Sequence, residues 1–278
     1  MTEHTLPMDD GLAMFFRATV PDPCAAAVLL VHGMNEHSGR YTGLADAFAR
    51  RGIAVYVPDY RGHGRTGPVP GYVPAVARVS EDLAALGRTI RSKHPSTPLC
   101  VYGHSLGGLI VLRHLLDFQD RYAAAILQGP ALAVPPNVSP ALVAISSVLS
   151  ALVPKLPVQE FDRSRLCRDP SVMAEMEDDP LYYKGKVRAR TGREILRTID
   201  TVRPRLPEIR LPLLVLHGGA DVVIDPAASV TAYEHASSKD KTLKVFPGLY
   251  HELHNEPERA DVLRFVVDWL EPRVTATR

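Results

Sequence analysis

The stretch Gly103-His104-Ser105-Leu106-Gly107-Gly108 constrains this chain more than any other. It spells G-x-S-x-G between two apolar runs. Residues 98–102 read as a short buried strand, and residues 106–117 read as an apolar helix. A serine wedged between a strand and a helix needs a very sharp turn. Side chains beside it would collide with neighbouring backbone, which accounts for the glycines on both flanks. Such a turn holds the hydroxyl out beyond the strand. It also leaves the N–H of Leu106, at the helix N-terminus, free to bind an anion.

The rest of the chain supplies the sheet that such a turn belongs to. Asp9-Asp10-Gly11 separates two strand-like runs and predicts a hairpin whose second strand covers 12–20. Continuous apolar runs at 26–31, 53–57, 123–127, 212–216 and 242–246 predict buried strands. Helices are expected over 41–51, 74–93 and 257–270, with one more between the last two strands. Strands alternating with helices mean an α/β fold, with a mostly parallel sheet of about eight strands flanked by helices. Ligands in such sheets bind beyond the strands' carboxyl ends, so each candidate residue is judged by whether it directly follows a strand.

Residues 131–206 break the alternation. They are proline-rich, 138–153 is an uncharged stretch of helix length, and the residues after it are charged and read as irregular. The expected organisation is a core of 1–130 and 207–278, with 131–206 inserted as a cap, or lid, over the site. The 138–153 stretch has two readings, a further core helix or a lipid-facing lid in which Leu142 and Leu149 would meet lipid.

A serine hydroxyl becomes a nucleophile when a histidine, oriented by a carboxylate, takes its proton. On the strand–turn–helix elbow of the α/β-hydrolases the chain order is Ser, then Asp or Glu, then His. The strand at 212–216 ends in His217-Gly218-Gly219-Ala220-Asp221, which places Asp221 at the sheet edge. Asp225 precedes Pro226 and helix formers, the pattern of an N-cap. The strand at 242–246 leads through a short glycine-containing loop to His251, with His254 as runner-up. The oxyanion of an acyl intermediate needs two N–H donors. Leu106 supplies one. The loop His32-Gly33-Met34-Asn35, after the strand at 26–31, supplies the other through Met34.

Two motifs are decoys. His251-Glu252-Leu253-His254 is one residue short of the H-E-x-x-H that places two zinc ligands on one helical face, so no metal is expected. Gly62-His63-Gly64-Arg65-Thr66-Gly67 matches G-x-G-x-x-G, but Pro68 and Pro70 follow where a dinucleotide fingerprint must open a helix. His235 lies inside a predicted helix and reads as solvated.

Composition narrows the partners. A formal net charge of +1 gives no electrostatic case for nucleic acid. Cys24, Cys100 and Cys167 are far apart and odd in number, so no disulfide framework is expected. The polar N-terminus shows no signal peptide, and no apolar run reaches the roughly 18 residues of a membrane span. A cytoplasmic location is the expectation, with peripheral membrane attachment through the cap left open.

With these residues assembled, the chain resembles the bacterial-type monoacylglycerol lipases, within the monoglyceride lipase and lysophospholipase group of serine α/β-hydrolases. The resemblance runs from about Val28 to Leu270. It rests on His32-Gly33-Met34-Asn35-Glu36-His37-Ser38-Gly39-Arg40-Tyr41, Asp59-Tyr60-Arg61-Gly62-His63-Gly64, the serine elbow, and Pro247-Gly248-Leu249-Tyr250-His251-Glu252. It implies Ser105, Asp221 and His251 as the triad, Met34 and Leu106 as oxyanion donors, and Glu36, Arg40 and His104 as residues that place a glycerol head. The chain departs from relatives in the cap, where Met176-Glu177 replaces a Tyr-Asn, and at Leu106, where methionine is commoner. The expected function is cofactor-free hydrolysis of monoacylglycerols to fatty acid and glycerol. Alternatives are a lysophospholipase or general carboxylesterase, an aminopeptidase using Glu175, Glu177, Asp178 or Asp179 to hold an amino group, and a non-catalytic receptor on the same fold. Oligomeric state is not legible.

Overall fold

The computed structural model describes residues 1–134 and 138–275. β1 (Thr2–Pro7) and β2 (Ala13–Thr19) form the expected antiparallel hairpin, with Thr2 opposite Ala18 and Pro7 opposite Ala13. β3 (Ala26–Val31), β4 (Ile53–Pro58), β5 (Leu99–His104), β6 (Ala125–Gln128), β9 (Leu213–Gly218) and β10 (Lys241–Phe246) continue the sheet. The order is β1-β2-β4-β3-β5-β6-β9-β10, and every pairing from β4 to β10 is parallel. β3, β4, β5, β6 and β9 are buried along their whole length, as continuous apolar runs demand when helices cover both faces.

Alternate residues of each strand serve opposite cores. Ala27, Leu29 and Val31 of β3 pack with α2 (Val76–Lys93) and α3 (Leu106–Phe118), through Leu83, Leu86, Leu109 and Leu112. Ala26, Val28 and Leu30 pack with α1 (Thr42–Ala49) and α8 (Arg259–Thr275), through Leu44, Phe48, Val266 and Leu270. α7 (Ala227–His235) joins β9 to β10 on the α2–α3 side.

Between β6 and β9 the chain is more regular than its composition suggests. It forms α4 (Pro140–Leu152), a two-stranded sheet of β7 (Pro157–Gln159) and β8 (Val187–Arg188), α5 (Pro170–Asp178) and α6 (Ala189–Val202). The part read as irregular therefore contains two helices. α6 was hidden because its inward face carries Thr191, Glu194 and Thr198 among the aliphatics. Thr198 donates to Glu194 O within the helix, and the other two are satisfied by α2 and the loop before it. Thr191 Oγ1 accepts Val73 N–H and donates to Gly71 O, and Glu194 Oε2 accepts Val76 N–H at the start of α2.

α4 is not a core helix. Ser139 caps it, accepting the Leu142 N–H. Ser146 and Ser150 face inward, whereas Ile145, Val148 and Leu152 are 50%, 59% and 76% exposed. Leu142 and Leu149, expected to meet lipid, are half-buried and line an internal cavity instead.

Candidate active site

Ser105 sits between β5 and α3 at φ 54°, ψ −120°. A non-glycine residue held there costs about 1–3 kcal/mol, so its surroundings must enforce it. Ser105 N–H donates to Gln128 O (2.9 Å), and Ser105 O accepts the N–H groups of Gly108 (2.9 Å) and Ala131 (3.0 Å). The flanking glycines are obligatory. A Cβ on Gly103 would lie 2.5 Å from Gly107 O, and one on Gly107 would lie 2.1 Å from Val31 O.

The Ser105 hydroxyl donates to His251 Nε2 (2.8 Å), and His251 Nδ1–H donates to Asp221 Oδ2 (2.6 Å). Asp221 Oδ1 accepts the backbone N–H groups of Val223 (2.8 Å) and Ile224 (3.1 Å). All three side chains are buried. Burial alone would raise the Asp221 pKa, but His251 and His217 beside it hold the carboxyl well below its usual range. Burial alone would lower the His251 pKa, but Asp221, then Glu252, outweigh it and raise the group above 6.5. The arrangement can pass the serine proton to His251 while an ionised Asp221 stabilises the imidazolium that results.

The competing residues have other partners. Asp225 Oδ1 accepts Ala227 N–H (2.8 Å) at the start of α7, so it caps that helix. His254 Nδ1 contacts Gln128 Nε2 (2.9 Å) and its ring stacks on Tyr41. His235 is exposed and bonds within α7 to Thr231 O. The 62–67 loop opens no helix. Instead Asp59 binds Arg65 N–H through Oδ2 and Ser38 N–H through Oδ1, bracing the turn after Met34.

Met34 and Leu106 both border the space in front of Ser105. Gly33 O accepts from Tyr60 Oη–H (2.9 Å) and from His32 Nδ1–H (2.8 Å). In a trans peptide the N–H points opposite to the C=O. The Met34 N–H therefore points away from Tyr60. Gly33 lies so close that a Cβ on it would be 3.2 Å from Ser105 Cβ.

Glu36, Arg40 and His104 are brought together, but not on the wall of the cavity that Ser105 faces. Arg40 pairs most closely with Glu252 (2.7 Å), with Glu36 at 3.6 Å, and His104 Nε2 lies 3.5 Å from Glu36 Oε1. A surface ion pair would be worth little, but these side chains are almost wholly buried. Burial and the nearby Glu252 raise the Glu36 pKa. Glu252, where Arg40 outweighs burial, stays below its usual value. Burial, reinforced by His251 and His254, keeps His104 neutral. Glu36 Oε2, Arg40 Nε, Tyr182 Oη and His254 Nε2 are buried polar atoms without a hydrogen-bond partner among the described residues. Sequence reasoning passed over Glu252, Gln128 and His217. A polar residue at the end of a buried strand was the available signal for the last two.

In front of Ser105 lies a cavity of about 390 Å³. Its walls are mostly apolar, with Leu106 and Ile224 from the turns beyond the main sheet and Val138, Leu149, Phe161 and Leu196 from the chain between β6 and β9.

A family model described as serine aminopeptidase, S33, matches residues 22–258. A monoacylglycerol lipase from Mycolicibacterium smegmatis is 37% identical, over 97% of this chain and 96% of its own. The chain belongs to this family of serine hydrolases and, within it, to the monoacylglycerol lipase group. The rat monoglyceride lipase is 31% identical over 95% of the chain and 89% of its own length. Among solved structures, the Paleococcus ferrophilus monoacylglycerol lipase superposes with a TM-score of 0.85, at 29% identity, covering 94% of this chain and 99% of that one. The eight-stranded sheet is thus the α/β-hydrolase fold, and the resemblance drawn from the sequence motifs holds across nearly the whole chain.

Proposed function

We propose that this enzyme hydrolyses monoacylglycerols to a fatty acid and glycerol through an acyl-enzyme. The observation that carries the reading is the hydrogen-bonded chain Ser105–His251–Asp221 opening onto one apolar cavity. Ser105 Oγ attacks the ester carbonyl carbon as His251 Nε2 takes its proton. The N–H groups of Met34 and Leu106 receive the oxyanion. His251 then returns the proton to the glycerol oxygen as the C–O bond breaks. Water, deprotonated by the same nitrogen, attacks the acyl carbon, and His251 returns that proton to Ser105 Oγ as the acyl–Oγ bond breaks and the acid leaves. Asp221 stays ionised throughout.

The printed names of the relatives support the substrate class. Glu36, Arg40 and His104 are paired with one another off the cavity wall, so the substrate reading does not rest on them. Residues 131–206 act as the cap over a core of 1–130 and 207–278, which accounts for a cavity walled by both segments. For an aminopeptidase the expected carboxylates are out of place, and the two that do line the cavity, Glu160 and Asp162, share its wall with Arg165 and Arg193. Glu175, Glu177 and Asp178 are exposed away from the cavity, and Asp179 is bound to His37 (2.6 Å). A non-catalytic receptor has no use for the strained Ser105.

No described helix is long and apolar enough to cross a membrane. The exposed aliphatics of α4, with Val153 and Leu156 beyond it, instead form a patch suited to resting on a lipid surface. Activity is tested with a panel of mono-, di- and triacylglycerols, a lysophospholipid and a proline naphthylamide. Monoacylglycerol should be cleaved fastest and fluorophosphonate labelling should vanish in Ser105→Ala. Faster cleavage of the naphthylamide or of triacylglycerol overturns the assignment.

A further inference from the structure

His217 is the penultimate residue of β9, four residues before Asp221, and is fully buried. Its Nε2 lies 3.0 Å from Ile224 O and 3.0 Å from Asp221 Oδ2. Both atoms are acceptors, so Nε2 carries a proton, its N–H bonds Ile224 O, and the same N–H lies against Asp221 Oδ2. Nδ1 lies 2.6 Å from the Oγ of Ser229, a buried residue of α7. With the proton on Nε2, Nδ1 accepts the hydrogen bond of the Ser229 hydroxyl. Ser229, His217, Asp221, His251 and Ser105 thus form one continuous chain. The hydrolysis sequence uses only its last three members.

The second histidine matters because His251 must be unprotonated to accept the serine proton. Asp221 and Glu252 favour the imidazolium, while a protonated Glu36 adds nothing; the His104 ring on β5 lies 4.9 Å from that of His251, with His254 packed against His104 from the loop before α8. Asp221 is the dominant partner, in direct contact with Nδ1. A second donor on the same carboxylate oxygen draws charge away from that contact.

We propose that His217 is a positioning residue for the triad, sharing Asp221 Oδ2 with His251 so that the carboxylate holds the His251 proton less tightly than it would alone. This rests on the Ser105–His251–Asp221 reading above. Loss of the donor leaves Oδ2 to His251 alone, while the Val223 and Ile224 N–H groups still hold Oδ1 in place. His251 then stays protonated to higher pH, and activity falls at neutral pH but recovers in alkali.

The test is the pH dependence of kcat/KM on a short soluble ester for the parent enzyme, His217→Leu and His217→Gln. The glutamine amide reaches the place of the imidazole Nε2 and keeps a donor there. In His217→Leu the acid limb should move up by about half a unit to one unit, a roughly threefold to tenfold loss below its midpoint, with KM unchanged. His217→Gln should keep the parent limb. A folded His217→Leu enzyme whose acid limb is unmoved or lowered overturns the proposal. If that variant does not fold, nitrogen-15 NMR of histidine-labelled parent enzyme decides. A His217 ring protonated at Nε2 and bare at Nδ1 supports it, and the opposite tautomer refutes it. Failure of the underlying triad is seen separately, as fluorophosphonate labelling that survives Ser105→Ala.

Discussion

Arg40→Met probes the buried charges behind Ser105. The Arg40 side chain is 8% exposed and that of Glu252 1%, with Nη2 and Oε2 2.7 Å apart. Burial and Glu252 keep Glu36 largely protonated near neutrality, so the balance is one cation against one carboxylate. Methionine preserves much of the apolar stem but strands Glu252 without its counter-ion. Leaving a buried charge unpaired costs about 3–5 kcal/mol. At roughly 2–4 °C per kcal/mol for a chain of this size, Tm should fall by roughly 6–20 °C at neutral pH. The sign with pH comes from Glu252. In the parent its folded pKa lies below the unfolded value, so its contribution is present above the unfolded pKa and is lost as pH falls through the folded one. In the variant the same carboxyl is buried without a cation and its pKa rises, so it protonates readily as the medium becomes acidic. The Tm gap should therefore narrow from about pH 7.5 to about pH 4.5. Thermal scans of both proteins across that interval measure it. A gap that stays constant, or one under about 3 °C at neutral pH, would show that Glu252 is not a stranded charge.

Asp221→Asn should lower turnover by roughly three orders of magnitude or more with the fold intact, and Asp225→Asn should change it little. Equal losses in kinetic assays would remove the distinction between the triad carboxylate and the helix cap. Because Asp221 raises the His251 pKa, kcat/KM should rise with pH through a midpoint above 6.5, since the base is protonated and idle below it. A midpoint below that of a free imidazole contradicts the geometry. Val148→Ser combined with Leu152→Ser should weaken binding to phosphatidylcholine vesicles and lower turnover of long-chain substrate while sparing a short ester. A parallel loss on both substrates would make α4 a structural element only.

The elbow was legible because its constraints are local. Gly103 and Gly107 have no room for a Cβ, and the positive φ of Ser105 arises wherever a strand turns at once into a helix. Asp221 and His251 were legible by order along the chain, each just after a strand of a parallel sheet. Asp225 was separable from Asp221 because proline and helix formers behind an aspartate spell a cap. The chain between β6 and β9 was less legible. The period of α6 is masked by Thr191 and Glu194, whose polarity serves backbone groups more than a hundred residues earlier in the chain. In α4 the composition announced an apolar helix but not its orientation. Leu142 and Leu149 look like Val148 and Leu152 in sequence, and packing alone turns the first pair to the cavity and the second to solvent.

The sequence by itself determined the sheet, the turn that carries Ser105 and the chain order of Ser105, Asp221 and His251. These depend on hydrophobic period and backbone sterics within a few residues. Tertiary structure decided what surrounds them. Arg40 meets Glu252 across 212 residues of chain, and His217 meets both Asp221 and Ser229. Those contacts set which carboxyls are charged and how firmly His251 holds its proton. Coulomb and desolvation energies depend on distance in space and on the exclusion of water, and neither quantity is written in the spacing of residues along the chain.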